Sequence, residues 1–195
     1  MWLATLLILA ILIELFNGSH YLREYRVTRL PRFGTLVVLM TPALVLLDHK
    51  ISNLAPHLSW LLLLGMGGLA VLIDLEHHIL PDRLILPTIA LSVLCTGMSE
   101  NLRPGIMGGF GWFSVFAVLA LINPSGLGWG DVKFAALLGF DCGAIDLRLV
   151  PVAVFLALVS GGVFALFLIA KGNRRSQIPF GPFMFFGAFA SLIGA

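Results

Sequence analysis

Val71-Leu72-Ile73-Asp74-Leu75-Glu76-His77-His78-Ile79-Leu80-Pro81-Asp82 is the stretch on which the reading of this chain turns. An apolar run ends on an aspartate, crosses a short titratable segment and stops at Leu80-Pro81-Asp82. A second stretch, Gly126-Leu127-Gly128-Trp129-Gly130-Asp131-Val132-Lys133, delivers another aspartate at the head of a later apolar run. An ionisable group at membrane depth is costly, so each of the two is a functional hypothesis by default.

The surroundings make the cost real. The chain is 59% hydrophobic and 11% charged, with mean hydropathy +1.01, whereas soluble domains carry roughly 25% charged residues. A chain this apolar cannot cover its surface from one aqueous core, so it is read as an integral membrane protein. A spanning helix needs about 20 apolar residues, with a range of roughly 17 to 25. The apolar runs place spans at 2–17, 34–48, 57–74, 83–98, 106–123, 132–147, 149–170 and 182–195. The expected fold is therefore all-α: a polytopic membrane helix bundle of about eight transmembrane helices, one membrane domain over 1–195. The sixth run is the weakest, because Asp141 and Asp146 lie within it or at its end, and a half-helix or re-entrant piece is its alternative. The N-terminus has no basic segment and no small-residue cleavage site, so 2–17 reads as a retained helix rather than a secretory signal. Glu14 within it is expected to face the bundle or lie near an end.

Charge bias orients the layout. With the loops at 17–33 and 171–181 inside, Arg23, Arg26, Arg29, Arg32, Lys171, Arg174 and Arg175 are cytoplasmic, joined by Arg83 and Lys133. Only Lys50, Arg103 and Arg148 fall outside. A sixth run that failed to cross would weaken this bias, so the charges favour eight crossings. Asp74 ends the third span and Asp131 opens the sixth, two crossings apart. Both then lie at the cytoplasmic interface.

Two close carboxylates cannot both be charged and so share a proton. That state suits peptide hydrolysis: one ionised Asp activates water while its protonated partner polarises the carbonyl. Paired acids also serve proton-coupled transporters, and an inactive assembly scaffold would keep the same fold. Gly126, Gly128 and Gly130 admit unusual backbone angles or the close approach of another backbone. A plain flexible loop would carry the same glycines.

Gly128-Trp129-Gly130-Asp131 followed by Val132-Lys133 resembles the GxGD motif in its GDxK form, as found in type IV prepilin peptidases. Asp74 with the spaced Leu80-Pro81-Asp82 is similar to that family's first motif, and Ile178-Pro179-Phe180-Gly181-Pro182-Phe183 to its PFGP segment. The resemblance covers about 58–195, leaving two N-terminal helices and a basic cytoplasmic loop in 1–57. It implies a GxGD-type intramembrane aspartyl endopeptidase that needs no metal or cofactor. Such enzymes sit in the inner (plasma) membrane with the active site facing the cytoplasm. They cut the basic leader from type IV prepilins, pseudopilins or preflagellins. By the same carry-over Asp74 and Asp131 are the catalytic pair. Gly128, Gly130, Lys133, Pro81, Asp82, Pro179, Phe180, Gly181 and Pro182 bind substrate or support the motifs. Longer members carry a cytoplasmic domain with paired CxxC motifs and also N-methylate the product. Here the corresponding connector is about seventeen residues without cysteine, so the resemblance implies the peptidase alone.

Simpler readings stand beside these. Leu80-Pro81-Asp82 is also a helix stop followed by an N-cap. Glu76, His77 and His78 lack the HExxH spacing of a zinc site. Lys133, two residues past Asp131, would point away from it and reach for lipid headgroups, or act on the acid pair through space. Pro179 to Pro182 would make an ordinary turn into the last helix. Glu76 and Asp82 would attract a basic leader. Cys95 and Cys142 suggest neither disulfide nor CxxC metal site, and no basic aromatic surface points to nucleic acid. The expected partners are a prepilin-like membrane substrate and the lipid bilayer.

Overall fold

A computed structural model describes residues 54–97, 99–124, 126–172 and 178–194. The expected spans at 2–17 and 34–48, Glu14, the basic loop, Lys50, Arg174 and Arg175 lie outside the described residues. What is described is helical, with no strand among the described residues: α1 (Leu54–Leu62), a π-helical stretch (Leu63–Gly67), α2 (Gly68–His77), α3 (Asp82–Thr96), α4 (Leu102–Ile122), α5 (Trp129–Ile145), α6 (Leu149–Ala170) and α7 (Gly181–Ile193). A helix stands at each of the six described runs, with ends shifted by at most four residues. Among the described residues three segments are long and apolar enough to cross a membrane: Ala55–His77, Leu102–Ile122 and Leu149–Ala170. Helices α3, α5 and α7 are shorter. The protein is all-α and of membrane type.

Its outward and inward faces divide as a membrane solvent requires. On α4 and α6 large apolar side chains such as Phe110, Leu121, Ile122, Phe155, Val163 and Leu166 point outward, where lipid receives them at no cost. Inside, Trp60, Trp112, Phe116, Phe134, Leu137, Leu138 and Met184 are wholly buried. Lipid tails supply no hydrophobic drive between helices, so close packing must hold them together. Small residues allow it. Gly105, Gly108 and Gly109 on α4 pack against α5, where Gly139 and Gly143 receive Gly108. A Cβ at Gly108 would lie 2.3 Å from the Gly139 carbonyl oxygen, and one at Gly143 would lie 2.5 Å from the Pro104 oxygen. Gly105 and Gly109, like Gly139 and Gly143, repeat at the four-residue interval of close-packed membrane helices. On the other side Gly187 of α7 sits against α6, where a Cβ would come 2.5 Å from the Ala153 oxygen.

α5 is the central helix, buried along most of its length from Val132 to Ala144. Asp141 does not break it: the helix runs unbroken to Ile145 with Asp141 at no exposure. This run is one continuous helix of 17 residues, shorter than the three segments of membrane-crossing length.

Candidate active site

The site is built at the ends of α2, α5 and α7. α2 ends because His78 adopts a left-handed conformation (φ 55°, ψ 37°), and its N–H closes on the Asp74 carbonyl at 2.8 Å. Asp74 therefore occupies the last turn of α2, 4% exposed. Its Oδ2 accepts a hydrogen bond of 2.9 Å from the Gly181 N–H. Gly181 is the first residue of α7, so the Asp74 carboxyl meets a helix N-terminus, where unpaired N–H groups and the helix dipole favour negative charge.

Each letter of the Pro179-Phe180-Gly181-Pro182 segment has a physical setting. The Phe180 ring packs 5.7 Å from Phe116 and 6.0 Å from Phe183. Gly161 of α6 makes room for it, since a Cβ there would fall 2.4 Å from Phe180 Cε2. Gly181 lets the Asp74 carboxyl approach, because its own Cβ would sit 2.8 Å from Oδ2. Pro182 opens α7 where an N–H has no helical partner to lose. Pro179 is half-buried just ahead of them.

Asp131 is fixed from its own helix. Its N–H donates to the Gly128 carbonyl at 3.1 Å, and its Oδ2 accepts from the Gly128 N–H at 3.1 Å. This reciprocal pair caps α5 with Asp131 as its third residue. Gly128 has ordinary extended angles (φ −80°, ψ 154°), and among the described residues Gly172 alone of the glycines has positive φ. The glycine run thus serves close approach rather than unusual angles. A Cβ at Gly130 would lie 3.0 Å from Leu80 Cβ and 3.1 Å from its carbonyl oxygen.

Leu80 joins the two halves. It is 7% exposed, lies against Gly130, and its Cδ2 would be 3.4 Å from a Cβ on Gly181. Sequence reasoning passed over it, although it is the apolar residue of the Leu80-Pro81-Asp82 motif. The Asp74 charge reaches the Asp131 carboxyl. Asp131 stands ahead of the apolar run of α5. Burial first, and then the Asp74 charge, push its carboxyl up to about 6 against the opposing Gly128 hydrogen bond. A carboxyl there gains or loses its proton near neutrality, as acid–base catalysis requires.

Asp82 departs from its expected place. Pro81 (φ −73°, ψ 125°) is the N-cap of α3, and Asp82 is the first helical residue, with no side-chain cap. Its Oδ2 instead accepts from Lys133 Nζ at 2.6 Å. Lys133 thus reaches across to α3, not out to lipid headgroups, and Asp82 is not a free acid for a basic leader. Helix spacing alone could not show a partner 51 residues away. The pair is half-exposed, Lys133 at 34% and Asp82 at 51%, so solvent screens it and its worth is under about 1 kcal/mol. A double-mutant cycle of Asp82→Asn and Lys133→Met, read by thermal melting, is expected to give a coupling of that size that shrinks with added salt. Zero coupling at low salt would return Lys133 to the lipid. His77 lies in the last turn of α2 and His78 is exposed beyond it. Among the described residues no three His, Cys, Asp or Glu side chains gather as a metal site.

Comparison with known proteins adds what geometry cannot. The type IV leader peptidase family matches residues 60–166. The match takes in both aspartates and leaves the Pro179–Pro182 segment outside. A prepilin leader peptidase/N-methyltransferase of Pseudomonas aeruginosa is 32% identical over 143 residues, 68% of this chain and 48% of its own. The protein of the same name from Xanthomonas campestris pv. campestris is 35% identical over 132 residues, 63% of this chain and 43% of its own. This chain therefore spans about half the length of the curated relatives it matches. No solved structure matches. With more than half of its residues matched to that family, Asp74 and Asp131 among them, the chain belongs to the type IV leader peptidase family.

Proposed function

We propose that this protein is a membrane-embedded aspartyl endopeptidase. It removes the basic leader from type IV prepilin-like precursors at the cytoplasmic face, using Asp74, Asp131 and a water. The observation that carries the reading is the convergence of two carboxyls, 57 residues apart in sequence, on one end of the bundle around Leu80 and the Gly181 N–H. Family membership gives that convergence a reaction. One carboxyl holds the shared proton and polarises the scissile carbonyl, and the other, ionised, takes a proton from the attacking water. The proton belongs to the pair rather than to either residue. Eight crossings with both aspartates inside follow from the distribution of arginine and lysine.

The reaction stops at hydrolysis. The curated relatives carry N-methyltransferase in their names, but the connector at 17–33 in this chain has no cysteine. The test is reconstitution in liposomes with a prepilin bearing its leader, a methyl donor supplied, and mass spectrometry of the product. The expected product is the mature chain with a free, unmodified N-terminus. A product one methyl heavier overturns the peptidase-only reading, and an uncut substrate overturns the peptidase itself.

A further inference from the structure

Leu80 has no chemistry of its own, yet it lies against the backbone at both ends of the proposed site. It belongs to the linker 78–81 between α2 and α3 and is 7% exposed. On one side its Cβ and carbonyl oxygen stand 3.0 and 3.1 Å from where a Cβ at Gly130 would be, and the next residue is Asp131. On the other, its Cδ2 stands 3.4 Å from where a Cβ at Gly181 would be, and Asp74 Oδ2 is 2.8 Å from that same point. The Leu80 side chain and the Asp74 carboxyl thus share the space that a side chain at 181 would fill. Pro81 (φ −73°, ψ 125°) stiffens the linker directly after Leu80. One residue further, Asp82 accepts from Lys133 Nζ at 2.6 Å. The linker leaving the Asp74 helix is therefore laid along the start of the Asp131 helix, 80 against 130 and 82 against 133.

The two attachments differ in kind. The ion pair is half-exposed and screened by solvent. Leu80 is buried, and the glycines facing it at 130 and 181 have no side chains that could fill its place. Shortening Leu80 opens a void beside a carboxyl, and a polar void takes up water. Water there weakens the action of one carboxyl on the other, and frees the two helix ends to drift. We propose, resting on the reading of Asp74 and Asp131 as the dyad, that Leu80 is a positioning residue: it fixes the spacing of the α5 and α7 N-termini that hold the two carboxyls, and so how strongly they share a proton.

The test is cleavage of a prepilin bearing its leader in liposomes, measured across pH and normalised to folded protein. Wild type is expected to give a bell whose two limbs belong to the pair. Leu80→Ala is expected to lower kcat about tenfold or more with KM within about twofold, as a small misplacement does, and to draw the two limbs together. Leu80→Met conserves volume and is expected to keep both the rate and the limb spacing. The other ionisable groups at this end are Glu76, His77 and His78 on α2 and its end, Asp82 and Arg83 on α3, and Lys133 on α5, with none on α7. All of them remain in these variants, so a moved limb does not come from a lost charge. Should Leu80→Ala fail to fold, Leu80→Val is read by the same two criteria. A shortened variant that keeps the wild-type kcat, or loses rate with both limbs unmoved, overturns the role of Leu80 and leaves the dyad standing. A wild type that cuts without a bell, or does not cut, overturns the dyad and this role with it.

Discussion

Asp131→Asn and Asp74→Asn are each expected to lower cleavage of a prepilin-like substrate roughly a thousandfold, within the range for loss of a positioned acid–base group, while the protein stays folded. The fold should survive because asparagine keeps the shape and an accepting oxygen. In either variant the new amide can still accept the bond that holds the native carboxyl, from the Gly181 N–H at position 74 and from the Gly128 N–H at position 131. What is lost is the ability to gain and release a proton. The Asp131 carboxyl is also desolvated and is pushed further by the charge on Asp74. Replacing either one removes that repulsion, so melting in detergent should be unchanged or slightly raised.

The double variant sharpens this expectation. Two residues acting as one proton-sharing unit are non-additive, so Asp74→Asn with Asp131→Asn should fall no further than either alone. The measurement is initial cleavage rate in liposomes, normalised to folded protein. A single variant that keeps more than about a tenth of wild-type rate would contradict the dyad, given the size of acid–base contributions. Additive losses would mean that the two act at separate steps.

The sequence displayed the helices and the two acids but not the contacts that make them a site. Long apolar runs declared themselves because lipid tolerates little else, and each described run is helical. Charge at the run ends drew attention to Asp74 and Asp131. The glycines were harder to read. Those beside Asp131 suggested unusual backbone angles or close approach; Gly128 is plainly extended, and Gly130 matters for its closeness to Leu80. Asp82 looked like a cap and Lys133 like a lipid anchor, because local spacing cannot reveal an ion pair formed across helices. Asp141 looked like a flaw in a span, yet α5 runs through it unbroken. The π-helical stretch Leu63–Gly67 had no signature at all. For the site residues, what escaped the sequence is in each case a tertiary relation.

Gly139→Leu is expected to cost about 3 kcal/mol or more, the upper range for overpacking, and to remove cleavage together with the fold. A Cβ at Gly139 would stand 2.5 Å from the Gly108 carbonyl oxygen and 2.8 Å from Trp112 Cβ. The first of these is backbone of a helix that cannot swing aside as a side chain would. α4 must back away from α5, and with it goes the close packing that substitutes for hydrophobic drive in lipid. The dyad feels this at once, because α5 carries Asp131 in its first turn while Asp74 is held by α7. Gly111→Ala is the control: on the same α4, nothing lies within 4 Å of the added Cβ, so folding and cleavage should persist. Thermal melting and cleavage measured on both variants separate the two roles of the molecule. The aspartate variants should lose rate without losing the melt, and Gly139→Leu should lose both in proportion. If Gly139→Leu melted like wild type, the α4–α5 contact would not be what holds Asp131 in place.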